Sequence, residues 1–187
     1  MGRWEPDARG RMLDAAIELF GEQGFDKTTA GDIAARAGVT ERTFFRHFAD
    51  KREVLFSGPG SLDEMVAKGV AAADEDASPL QMVIAGVRQA AVELVAVRTR
   101  EQAADRVRIV EATPALRERE LLKMATMTAA AQAALVERGV GEPTAGLAAH
   151  SAAAVFQTAF TRWVSGDTDL GLPECVDEAA AALRDLY

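Results

Sequence analysis

Cysteine occurs once in these 187 residues and histidine only twice, at His47 and His150. A single thiol excludes an internal disulfide framework and a cysteine-rich zinc module. Two histidines so far apart in the chain leave no ligand set, so neither a metal nor a cofactor is expected. No run approaches about 18 uninterrupted apolar residues, which excludes a membrane-spanning helix. The opening Met1-Gly2-Arg3-Trp4-Glu5-Pro6 has no secretory apolar core, and a cytoplasmic location is expected. The phosphate-loop, zinc-protease and nucleophile-elbow signatures are all missing. A triad would have to use His47 or His150, and no flanking pattern recommends either. No catalytic residue is assigned, and an enzyme is not expected.

What remains is a helix former's composition. The chain is 49% hydrophobic and 27% charged, with aromatics at only 6%. Alanine, its commonest residue, enters helix at the least entropic cost. Leu13, Ala16, Ile17 and Phe20 repeat at helical spacing, with Gly24 as a left-handed stop and Phe25 folding back on the stripe. Thr29 and Asp32 read as a capping box before a short second helix that ends at Gly38. A third helix opens at Thr40, and a fourth at Asp50 with Glu53 completing its box. Ser57-Gly58-Pro59-Gly60 breaks that helix, and Ser61 starts another. Pro79, Pro114, Pro143 and Pro173 then mark first turns, where no amide donor is needed. They delimit apolar-periodic stretches at 79–98, 115–138, 143–165 and 173–186, with a short helix at 101–111. No stretch alternates as a strand would. The expectation is an all-α protein: a three-helix unit over 1–56, then a larger helical domain over 57–187.

Net charge is −8, which looks wrong for a partner of nucleic acid. Residues 1–56 carry nine Lys and Arg against ten Asp and Glu, so most of the excess lies beyond them. Arg3, Arg9 and Arg11 gather at the start, and Arg42, Arg46, Lys51 and Arg52 near residue 50, separated by Asp14, Glu18 and Glu22. Attraction to DNA follows the local field at a docking face rather than the total.

The stretch from Thr29 to Phe48 carries the functional signal. Ile33, Ala34 and Ala37 lie on one side of the second helix, Gly38 sits in the turn and Val39 plugs the corner. Phe44 and Phe48, four apart, bury one face of the third helix. Arg42 with Arg46, and Thr43 with His47, project from the others. Two short helices joined by a glycine turn, the second presenting basic and hydroxyl groups, describe a helix-turn-helix. Its third helix is slim enough to enter a major groove about 12 Å wide. Thr40 caps it and leaves amides for a phosphate, Arg42 suits a guanine edge, and Thr43 a base or a thymine methyl. Thr29, His47 and Lys51 are placed to hold phosphates. The same pattern also describes a three-helix core whose phenylalanines only pack.

These residues resemble the DNA-binding domain of the TetR family of transcriptional repressors. The likeness runs over about 9–56: Glu22-Gln23-Gly24-Phe25, then Thr28, Thr29, Asp32, Ile33, Ala34, Ala37-Gly38-Val39-Thr40, then Thr43-Phe44-Phe45-Arg46-His47-Phe48 and Lys51. The resemblance implies Thr29, Thr40, Arg42, Thr43, Phe45, Arg46, His47 and Lys51 as the DNA-binding set. It departs twice: Arg42 stands where the family commonly has a small residue, and Phe45 replaces its usual tyrosine.

The resemblance also implies a homodimer on a palindromic operator in double-stranded DNA, released by a small-molecule effector. The last two helices would then make the dimer. Ala148, Ala152, Val155 and Ala159, with Ala179, Leu183 and Leu186, form stripes that admit a close partner helix or pack inside one chain. Met124, Met127, Phe156, Phe160 and Trp163 suit either an adaptable apolar cavity or simple core, with His150 and Gln157 along another face to fix a polar group. A helical protein-interaction module that borrowed the DNA-binding fold is the competing reading.

Overall fold

The computed structural model describes residues 7–56 and 61–186, and every regular element among them is helical. In chain order these are α1 (Ala8–Gln23), α2 (Ala30–Arg36), α3 (Glu41–His47), α4 (Glu53–Phe56) and α5 (Leu62–Ala71). They continue as α6 (Pro79–Val95), α7 (Arg100–Ala112), α8 (Pro114–Glu137), α9 (Glu142–Ser165) and α10 (Leu172–Arg184). The expected break at Ser57–Gly60 and Arg3 both fall outside the described residues.

The chain packs as two units. One contains residues 1–57 together with 101–120; the other contains 58–100 and 121–187. Residues 101–120, grouped by sequence with the larger domain, therefore pack with the N-terminal helices.

In the first unit, α1 stops at Gly24, whose amide donates to Phe20 O; its φ is positive (+85°), but its ψ of 158° is extended rather than the left-handed helical turn expected. Phe25 then folds back to 5.1 Å from the Phe20 ring. Thr28 is fully buried, and its hydroxyl donates to the Gly24 carbonyl at 2.9 Å. The capping box at α2 forms in both directions. At α4 the box is only half made: the Asp50 carboxylate accepts the amides of Arg52 and Glu53, while the Glu53 carboxylate pairs with Arg119. A bidentate guanidinium outcompetes a single backbone amide for that carboxylate. The core gathers Met12, Ile17 and Phe20 of α1, Ile33 of α2, Phe44 of α3 and Leu55 of α4, with Val110 and Leu116 from the later segment.

The second unit is built on close helix crossing. A Cβ on Gly69 of α5 would lie 2.5 Å from the Gly86 Cα of α6, and one on Gly86 would lie 2.6 Å from the Val66 carbonyl oxygen. Only two glycines allow these backbones to touch. A full capping box between Ser78 and Gln81, with Pro79 in the first turn, opens α6. Ser61 precedes α5 without bonding through its side chain. Arg138 donates to the carbonyls of Val70, Ala71, Ala73 and Asp74, satisfying the C-terminal end of α5 and the turn after it. Helices α6, α9 and α10 pack against one another.

Candidate nucleic-acid interface

The candidate interface starts from a turn. The α2 C-cap is Ala37, and Gly38 follows at φ +71°. The Val39 amide then donates to Ala34 O, which sets α3 across α2. Arg11 of α1 donates from Nε to the Ala37 carbonyl at 3.2 Å, tying the same corner to the first helix. Thr40 caps α3, its hydroxyl accepting the Thr43 amide and lying 3.0 Å from the Thr43 hydroxyl.

The two faces of α3 separate cleanly. Phe44 and Phe48 are buried with ring centroids 5.2 Å apart. Arg42, Phe45, Arg46 and His47 are exposed, and Thr43 is half-buried. Arg42 makes no hydrogen bond or ion pair among the described residues, so its fork of donors is available. Arg46 Nη2 lies 3.5 Å from His47 Nε2. Phe45 keeps 52% of its surface exposed, its ring edge-on to Phe44 at 5.5 Å.

Two expected phosphate ligands are engaged inside the fold. The Thr29 hydroxyl accepts the Asp32 amide and donates to Asp32 Oδ2 at 2.7 Å. That bond, with the Thr29 amide, holds the Asp32 carboxyl below its ordinary range. The Lys51 ammonium donates to the carbonyls of Phe25 at 2.7 Å and Thr28 at 3.0 Å, and sits 4.2 Å from the Phe25 ring centroid. Lys51 straps the loop between α1 and α2. Arg9 stacks over the Phe48 ring at 5.7 Å. Arg52 holds the Asp50 carboxylate, which keeps that carboxyl below its usual range. The acids of α1 are partly answered as well, since Arg36 bridges Glu18 and Glu22.

Sequence reasoning missed Arg106. Its side chain is only 4% exposed; Nε donates to Leu55 O at 2.9 Å, the guanidinium pairs with Glu120, and it stacks over Phe56 at 4.9 Å. A signal existed: Ala103, Arg106 and Val110 share one buried stripe of α7, which puts a cation at an interior register.

Of the residues expected around an apolar cavity, Phe156, Phe160 and Trp163 come together, with successive ring centroids 5.9 Å apart. Met127, Phe156 and Trp163 are buried, Met124 and Phe160 half-buried, while His150 and Gln157 are exposed. His150 Nδ1 lies 2.9 Å from the Gly146 carbonyl of its own helix. Gln157 instead borders an open depression of about 540 Å3 with Ala154, Thr158, Thr161, Arg162, Ser165 and Asp167. The small-residue stripe of α9 also turns inward. Ala148, Ala152, Val155 and Ala159 are buried within their own chain, so they offer nothing to a partner. On α10, Ala179 and Leu183 are half-buried and Leu186 is 76% exposed.

Residues 12–57 match the family described as bacterial regulatory proteins, tetR family. This N-terminal segment is similar to the tetR family. Among curated tetR-like relatives, the HTH-type transcriptional regulator TcmR of Streptomyces glaucescens is 36% identical over 80 residues, 43% of this chain and 35% of that protein. AcrR of Shigella flexneri is 43% identical over 58 residues, 31% of this chain and 26% of AcrR. The chain thus matches about a third or less of the length of these relatives. Both relatives are regulators of transcription, not enzymes. Among solved structures, NalD, the secondary repressor of the MexAB-OprM multidrug efflux pump in Pseudomonas aeruginosa, superposes with a TM-score of 0.61 at 20% identity, covering 97% of each chain. The SmeT–triclosan complex gives 0.59 at 22% identity, covering 94% of this chain and 90% of SmeT. At that identity the likeness establishes the fold of a tetR-family protein and nothing finer.

Proposed function

We propose that this protein is a transcriptional repressor that binds a palindromic operator as a homodimer and leaves it when a small molecule binds. The observation that carries the reading is the exposed, unpaired Arg42 on α3, beside Arg46 and His47 and backed by buried Phe44 and Phe48. A guanidinium in the major groove pairs in bidentate fashion with the O6 and N7 atoms of guanine. Arg46 and His47 take backbone phosphates, which fix register without reading sequence. The alternative of a protein-interaction module gives no reason for a free arginine fork on this face.

The dimer follows from the chemistry of the target. Two recognition helices meet half-sites on one face of the duplex, about 34–36 Å apart. With the α9 alanines turned inward, the proposed contact uses the opposite side of α9 and the end of α10. Leu147, 73% exposed, and Leu186 support it. The effector is proposed to bind in the second unit, near Met124 and Phe160. The SmeT–triclosan likeness supports a small, largely apolar molecule. Such a ligand releases DNA only to the extent that it favours the off-operator geometry.

Selection of bound duplexes from a random pool tests the reading. A palindrome enriched by the wild type and lost with Arg42→Ala is expected. A protein that stays monomeric and enriches no sequence at low salt overturns it.

A further inference from the structure

We propose that Phe45 reads the 5-methyl group of a thymine in the operator, which makes it a specificity-determining residue beside Arg42. The proposal rests on the DNA-binding reading above and adds the identity of a second base. Among the described residues of the first unit, Phe45 is the one large hydrophobic side chain left exposed. Every other large apolar group described there is buried or half-buried. Leaving one ring in water on an otherwise economical surface forfeits burial that the rest of the unit secures.

The ring is also oriented. Phe44, fully buried, meets it edge-on at an interplanar angle of 86°, so one edge is anchored and the remaining surface faces outward. Arg42 lies three residues earlier on the same helix, where side chains are neighbours about 5–6 Å apart. Phe45 therefore accompanies the guanidinium into whatever groove Arg42 enters. A phenyl ring has no hydrogen to donate, so it cannot bond a phosphate or a base edge. The major-groove edges present donors and acceptors everywhere except at the thymine methyl, which is the one apolar group available. Base pairs stack about 3.4 Å apart, so the thymine falls within two base pairs of the guanine that Arg42 meets.

Replacing thymine by deoxyuridine removes only that methyl and tests the contact directly. On the selected palindrome, each thymine of the half-site is replaced in turn and binding is measured for the wild type, Phe45→Ala and Phe45→Leu. One position within two base pairs of the Arg42 guanine should weaken wild-type binding by about fourfold per half-site, the value of burying one carbon group. Phe45→Ala should lose that sensitivity, and Phe45→Leu should retain part of it. Arg42→Ala should keep the thymine sensitivity while losing its guanine preference. Exposure of the side chain keeps these variants foldable, and far-ultraviolet circular dichroism verifies that. If the wild type tolerates deoxyuridine everywhere, or if Phe45→Ala weakens every sequence equally, the ring packs on the sugar-phosphate backbone and the proposal is overturned while the operator reading stands. A selection that enriches nothing overturns both together.

Discussion

Lys51 and Arg46 lie five residues apart and look interchangeable as cations, yet their surroundings separate them. Arg46 is exposed, with only His47 beside it, whereas the Lys51 ammonium is held by carbonyls of the loop between α1 and α2. Arg46→Ala should therefore lower the slope of log affinity against log salt by about 1. Lys51→Met should leave that slope unchanged and lower the melting temperature instead, because two half-buried carbonyls lose their donor. Binding titrations across a salt series, paired with thermal melts of both variants, check the contrast. Sequence reading assigned both residues to the DNA-binding set. It had no means of showing which one the fold had already engaged, since the partners of Lys51 lie 23 to 26 residues away.

Local signals were legible wherever a helix end depends on its own neighbours. The box at Thr29 and Asp32, the left-handed Gly38 and the prolines opening α6, α8, α9 and α10 all act within four residues. The buried pair Phe44 and Phe48 followed from spacing alone. The α9 alanines did not, because a stripe of small residues suits an internal neighbour and a second subunit equally well. Two tests belong at this scale. Asp32 titrates below the ordinary aspartate value of 3.8, chiefly because the Thr29 hydroxyl and then the Thr29 amide donate to it. A depressed folded value means the unfolded chain takes up the proton first. The contribution of Asp32 is thus complete above that ordinary value and is lost as pH falls through the depressed one. Asp32→Asn should lower stability at neutral pH and converge with the wild type in strong acid, as followed by denaturant melts across pH. Gly86→Ala should cost about 1–3 kcal/mol, because its new methyl meets the Val66 carbonyl oxygen, which is backbone and cannot rotate aside. Chemical denaturation measures that loss.

Across the whole chain, the unit that carries the helix-turn-helix is not a continuous segment. Residues 101–120 complete it, and Arg106 fastens them through Leu55 O, Glu120 and Phe56. Arg106→Ala strips a buried carbonyl of its donor and leaves Glu120 without its cation. The expected cost is about 2–3 kcal/mol, toward the lower end for a broken buried pair because Glu120 is partly exposed. Thermal unfolding should register it, with the loss appearing in DNA affinity as well. The net charge of −8 takes its place at this scale too. Most of it lies beyond residue 56, so any attraction of DNA to the arginines of α3 rests on the local field there rather than on the total.

Tryptophan is scarce here, at two residues, and that scarcity has a practical use. Trp163 is buried in the second unit, with the Arg100 guanidinium 5.9 Å from its ring and Phe160 at the same distance. Replacing Trp4 by Phe leaves this indole as the chain's sole fluorophore excited at long wavelength. Its emission colour and its quenching by iodide would then watch the second unit, where the effector is proposed to bind, so that a titrated compound announces its arrival without any label.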